Sequence, residues 1–190
     1  HLRGAFFVTQ PAWPIMQAKK YGRIVLTSSS TGAFGRVAGA NYAAAKAGML
    51  GLGRALHLEG AQHGIKANCI LPVAPFRNRG PVPAALTEHL TKAGLSPAEA
   101  GPELVAPMVV YLASRACSVS GEAFSGGGGR FGRVFIGVAD GWVGPLDSPP
   151  TAEDIETHLP EIRDLSSYEM PPTSIDELGV IGRLRAKRKG

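Results

Sequence analysis

Few of the features that commonly announce a protein's class occur in this sequence. It has no uncharged apolar run long enough to cross a membrane as a helix. Cysteine occurs only at Cys69 and Cys117. That excludes a disulfide framework, and each reads as a small buried hydrophobe in a reducing, cytoplasmic setting. The histidines are scattered and no His or Cys pair stands at ligand spacing, so no metal is expected. A charged-then-apolar leader is missing, so no signal peptide is visible. The chain starts abruptly at His1, which reads as the start of a fragment. A basic face with interleaved aromatics is also lacking, so neither nucleic acid nor a membrane is an expected partner.

What is present is a chain of 190 residues, 44% hydrophobic and 18% charged. That suits one domain with a sizeable core and excludes a disordered chain. The net charge is +5. It comes from the C-terminal run Arg183, Arg185, Lys187, Arg188 and Lys189. Without that run, 15 basic residues face 15 acidic ones, and the run reads as a solvated tail.

Residues 4–19 carry apolar side chains at helical spacing, with Pro11 and Pro14 expected to kink or shorten the helix. Residues 23–28 form a β-branched, apolar run and read as a buried strand. Residues 29–39, rich in Ser, Thr and Gly, read as a loop. A long helix of small residues follows over 40–63, stopped by Gly64. Residues 65–71 are a second buried strand, ended by Pro72. The stretch 72–100 is loop-rich, with a short helix over 86–93. A helix is expected over 102–114, with Pro107 as its weak point. Strands at 121–125 and 133–138 flank a turn at Gly126–Gly129. Thr151 with Asp154 and Ser174 with Glu177 read as capping boxes opening helices over 151–165 and up to about Leu184.

This order implies βαβ units and a parallel sheet covered by helices on both faces. The expected fold class is therefore α/β, a partial Rossmann-like doubly wound parallel sheet. No Gly-rich strand–turn–helix element precedes residue 23, so its first strands and phosphate-binding loop are lacking.

The chemistry-bearing residues cluster around the long helix. Tyr42 and Lys46 lie four apart and share one face. The strand before them runs into Ser28, Ser29 and Ser30, and the carboxyl edge of a parallel strand is where α/β folds place ligands. A phenol titrates near pH 10, too high for ready proton exchange at neutrality, and a nearby ammonium favours the phenolate. A hydroxyl donor can hold the substrate oxygen. Such a set can move a proton to or from an alcohol while a nicotinamide exchanges hydride.

The stretch YGRIVLTSSSTGAFGRVAGANYAAAKAGMLGL resembles the catalytic segment of the short-chain dehydrogenase/reductase family. In that family a Ser precedes the Tyr of Tyr-x-x-x-Lys by thirteen residues; here it is Ser29. HLRGAFFVTQ and EAFSGGGGRFGRV followed by GWVGP are similar to the subgroup forming the dehydrogenase domain of type 2 multifunctional enzymes. The resemblance implies oxidation of 3-hydroxyacyl-CoA to 3-ketoacyl-CoA with NAD, NADP being the alternative cofactor. It implies Tyr42 as general acid/base, Lys46 as support for the phenolate and the nicotinamide ribose, and Ser29 as the group orienting the substrate oxygen. His1 falls where most of the family has an Asn that holds a proton-relay water. The cofactor is expected to meet Tyr42, Lys46 and the loop Pro72, Val73, Ala74. That loop departs from the family's Pro-Gly, Pro75 has no N–H to offer, and Arg77 replaces a Thr. Ser28 and Ser30 are expected to pack and cap.

The resemblance covers residues 1–145, the C-terminal two-thirds of such a domain, with 146–190 as a helical extension or linker ending in the basic tail. It implies a homodimer through the helices at 4–19 and 40–63. A different reading is a truncated, non-catalytic interaction remnant that keeps those dimer contacts. Lacking a pyrophosphate cradle, the chain alone is expected to fold weakly and turn over little. In thermal denaturation NAD should leave its melting midpoint unchanged; a clear NAD-dependent rise overturns that expectation.

Overall fold

The structure, a computed structural model, describes residues 1–74, 84–96 and 98–189. The readings of Pro75 and Arg77 lie outside the described residues. The chain divides into two compact units, His1–Val134 and Phe135–Gly190.

The first unit is organised by strand β2 (Ile65–Pro72). Its Ala67 and Leu71 are fully buried, with Ile65, Cys69 and Ile70 close behind, because it is covered on both faces as an interior parallel strand must be. Strand β1 (Gly22–Thr27) runs parallel to it, from Gly22 opposite Ile65 to Thr27 opposite Ile70. On the other side β3 (Ala123–Gly127) is also parallel, and β4 (Arg130–Val134) closes the order β1-β2-β3-β4 in the antiparallel sense. The α/β parallel sheet expected from the sequence is thus present, with an antiparallel edge added.

That edge comes from the glycine run. The expected turn over Gly126–Gly129 is shorter than read: Gly126 and Gly127 continue β3, and only Gly128 and Gly129 turn, at φ 57° and 74°. Two successive positive φ values match the twist of a two-residue hairpin. A Cβ on Gly127 would lie 2.5 Å from the Val73 carbonyl oxygen, so this strand position needs its glycine for close approach.

Helix α1 (Leu2–Ala18) runs through Pro11 and Pro14, so the two prolines do not shorten it. Each proline removes one donor, leaving the carbonyls of Phe7 and Gln10 without helical partners. Both residues are exposed, so water can meet those carbonyls. The expected loop 29–39 contains a short helix, α2 (Ser30–Phe34), capped by Ser29. Helix α3 (Ala40–Gly60) is followed by a 3-10 turn over Ala61–His63 and by Gly64 at φ 67°. Met49 and Leu56 of α3 join Leu26, Ala67 and Cys69 in the core. The helix stands close to β2 at Gly53, where a Cβ would lie 2.7 Å from the Cys69 Sγ. Burial pushes the Cys69 thiol up to about 12, and its Sγ donates to the Met49 carbonyl at 3.3 Å. Asn68, 1% exposed, donates to the Val119 carbonyl and accepts from the Glu122 N–H. It thereby pins the approach to β3.

Helix α4 spans Ala84–Lys92. The single helix expected over 102–114 is divided into a 3-10 turn at Pro102–Leu104 and α5 (Ala106–Ala113). Pro107 sits in the first turn of α5, where its missing N–H has no helical partner to lose.

In the second unit β5 (Val138–Ala139) pairs antiparallel with β6 (Tyr168–Glu169). Trp142 stacks on His158 with ring centres 4.2 Å apart. The capping box of Thr151 and Asp154 opens α6 (Ala152–Thr157), and His158 separates it from α7 (Leu159–Ile162). The second cap lies one residue before the expected Ser174: Thr173 and Asp176 exchange hydrogen bonds at the start of α8 (Asp176–Lys189). That helix outruns Leu184 because the basic tail sits in its last turns, where cations favour the helix dipole. No helix of the described residues is long and apolar enough to cross a membrane.

Because α3 approaches β2 at Gly53, Gly53→Ala should destabilise the protein by about 1–3 kcal/mol through overpacking. Denaturant unfolding measures it, and an unchanged midpoint refutes the close approach.

Candidate active site

The site grows from the carboxyl end of β1. Ser28 is buried, 2% exposed. Its N–H donates to the Ile70 carbonyl, extending the β1–β2 ladder, and its Oγ donates to the Lys46 carbonyl at 2.7 Å. One residue on, the Thr31 N–H donates to Ser29 Oγ at 3.2 Å, which makes Ser29 the cap of α2. A hydroxyl that accepts there still has its hydrogen to give to a substrate oxygen. Helix α2 then passes against α3 at Gly32, where a Cβ would lie 2.7 Å from the Lys46 main chain. A bond from Ser28 and a missing side chain at Gly32 therefore both seat α3 at Lys46.

Lys46 is 6% exposed, and its Nζ donates to the Thr27 carbonyl at 2.6 Å. Burying an ammonium is costly unless polar groups meet it. The strand-end carbonyl does this and fixes where the charge sits. One helical turn earlier, the Tyr42 ring centre lies 5.8 Å from that Nζ. The His1 imidazole meets the Tyr42 ring edge to face at 5.2 Å. A basic group not singled out from the sequence also stands there: the Arg36 guanidinium, 5.9 Å from the ring centre.

His1, Tyr42 and Lys46 are thus brought together. Ser29 is placed through α2 and Ser28 on the same strand end. The Pro72–Ala74 segment lies at the end of the neighbouring strand. There the Val73 N–H is engaged by the Gly126 carbonyl at 2.8 Å, so it is not free for a carboxamide. An ammonium and a phenol side by side suit the hydroxyls of a nicotinamide ribose, whereas Val73 brings no free donor. A groove of about 480 Å³ runs from His1 and Lys46 along the α1 side of β1, bordered by Val8, Ala12 and Leu26. Among the described residues β1 pairs only with β2, and the groove follows its other edge. No group of His, Cys, Asp and Glu among the described residues can hold a metal ion.

Residues 1–75 match the family model described as short chain dehydrogenase. A short-chain type dehydrogenase/reductase of Mycobacterium tuberculosis is 38% identical over 171 residues, which cover 90% of this chain and 56% of that protein. An acetoacetyl-CoA reductase of Shinella zoogloeoides is 38% identical over 134 residues, covering 69% of this chain and 56% of that protein. Among solved structures, full-length peroxisomal multifunctional enzyme type 2 from Drosophila melanogaster superposes with a TM-score of 0.81 at 30% identity, covering 98% of this chain and 33% of that one. The chain therefore spans about half the length of the two sequence relatives.

The Ser28 bond to α3 is testable apart from any activity. Ser28→Ala should lower unfolding stability by about 1 kcal/mol, the usual worth of one buried hydrogen bond. No change in a denaturant melt refutes a supporting role.

Proposed function

The chain belongs to the short-chain dehydrogenase/reductase family, and from that premise we propose that it interconverts 3-hydroxyacyl-CoA and 3-ketoacyl-CoA with a nicotinamide cofactor, NAD by preference. The observation that carries the reading is the Tyr42 ring beside a buried, strand-anchored Lys46 ammonium. The acyl-CoA assignment is supported by the likeness to an acetoacetyl-CoA reductase and to multifunctional enzyme type 2.

In the oxidising direction, Tyr42 Oη takes the hydroxyl proton of the substrate. The Ser29 hydroxyl donates to the same oxygen and holds the carbinol carbon in place. Lys46, fixed on Thr27, stabilises the phenolate while it waits for that proton and offers Nζ to a ribose hydroxyl. His1, in edge contact with the phenol, lies where a relay to solvent can start. A bound nicotinamide, its ribose held by Lys46 and Tyr42, would supply hydride exchange at the carbinol carbon. In the reducing direction the phenol returns the proton to the carbonyl oxygen.

A homodimer through α1 and α3 fits the exposed Phe6, Phe7, Val8 and Ile15 of α1, since large apolar side chains clustered at a surface commonly mark an interface. The buried free thiols of Cys69 and Cys117 fit a reducing, cytoplasmic compartment.

The test is oxidation of NADH by acetoacetyl-CoA at millimolar cofactor, repeated with NADPH. Turnover is expected with at least one of the two cofactors. Tyr42→Phe should lower it at least about 100-fold, the low end of what one acid–base group contributes. Turnover indifferent to Tyr42, or none with either cofactor, overturns the proposal.

A further inference from the structure

The connection between α2 and α3 holds a cation that the dehydrogenase chemistry leaves unused. Gly35 and Ala38 both have left-handed backbone, at φ 77° and 55°, so the chain turns twice within a few residues. An alanine held there is strained and marks a conformation fixed by its surroundings. The turns leave Phe34 and Val37 73% and 94% exposed. Between them in sequence stands Arg36, its guanidinium 5.9 Å from the Tyr42 ring centre. Among the described residues no carboxylate pairs with it and it makes no hydrogen bond.

The surroundings are electrostatically one-sided. No aspartate or glutamate precedes Glu59 in the sequence. Lys46 Nζ stands 5.8 Å from the same Tyr42 ring centre, and the stretch from His1 to Lys46 holds no aspartate or glutamate. A site walled by one sign of charge concentrates ligands of the other sign. The planar fork of a guanidinium matches carboxylate and phosphate oxygens.

We propose that Arg36 is a specificity-determining residue that receives an anionic oxygen group of the substrate, while Phe34 and Val37 cover the apolar carbon chain beside it. The anion is either a phosphate of a carrier such as coenzyme A or a carboxylate on a free hydroxy acid. The proposal rests on the dehydrogenase reading for what counts as substrate. The affinity of Arg36 for the anion is measurable without turnover, so a failed enzyme assay and a failed anion site are separate results.

Coenzyme A and 3-hydroxybutyrate are titrated separately into the protein by calorimetry at low salt, with Arg36→Ala, Arg36→Lys and, as a charge-matched control, Arg185→Ala. Arg36→Ala should weaken one probe about tenfold, as loss of an exposed charged hydrogen bond does. Arg36→Lys should recover part of the loss, Arg185→Ala should match the wild type, and added salt should narrow the difference. A loss confined to coenzyme A assigns the phosphate, and a loss with 3-hydroxybutyrate assigns the carboxylate; either supports the proposal. It is overturned if neither probe binds the wild-type protein. It is equally overturned if Arg36→Ala weakens binding no more than Arg185→Ala, or if it weakens the phosphate-free, neutral thioester of N-acetylcysteamine to the same degree.

Discussion

The bond between the Lys46 ammonium and the Thr27 carbonyl is the constraint on which the rest of the site depends. A buried cation on a helix can be accommodated only if the fold brings polar atoms to it. The last carbonyl of a parallel strand is such an atom when the next strand leaves it unpaired. Meeting that demand fixes α3 against the end of β1. Ser28 and Gly32 then fit the helix from the strand side and from α2, one by a hydrogen bond to the Lys46 carbonyl and one by the absence of a side chain. Once Lys46 is seated, Tyr42 one turn earlier has little freedom in where its ring points. The site is thus a by-product of closing a βαβ unit tightly.

How much of this could be read from residues follows from the range of the interactions involved. β1, β2 and α3 are written in local patterns: two short apolar runs, a long helical stretch of small residues, and a glycine at each stop. Their parallel pairing follows from the helix between them. Tyr42 and Lys46 share a helix face by spacing alone, so their proximity was legible as well. What the residues did not disclose depends on partners far along the chain. The seat of Lys46 is a carbonyl nineteen positions away. Arg36 approaches Tyr42 only because Gly35 and Ala38 fold the intervening loop back. The engagement of the Val73 amide arises from a hairpin more than fifty residues downstream.

The misread elements share one cause. By propensity alone Gly and Pro read as breakers, whereas here their neighbours decide their effect. Pro11 and Pro14 are tolerated within α1, where the residues whose carbonyls they orphan, Phe7 and Gln10, are exposed. Pro107 starts α5 rather than interrupting a longer helix. Gly126 and Gly127 lie inside a strand because Val73 and Phe131 crowd the space a side chain would need. Ser29 begins a helix instead of a loop because its hydroxyl is placed to cap one. Propensity describes the isolated residue, and packing decides which of its permitted conformations is used.

The same logic bears on how the site is divided between chemistry and recognition. The residues proposed to handle a proton, Tyr42 and Lys46, sit on a long helix anchored to the end of β1. The residues that would distinguish one substrate from another sit on the short α2–α3 connection, where Arg36 approaches the ring of Tyr42 and the Gly39 carbonyl accepts from the Ala43 N–H. Such a loop can change without moving the phenol, because Lys46 takes its position from β1 and not from the loop. In the proposed reaction Arg36 would answer to the charge of the ligand, while Ser29, capping α2 at the strand end, would answer to the position of the substrate oxygen. A fold built this way keeps its proton-transfer groups fixed while its rim is open to variation.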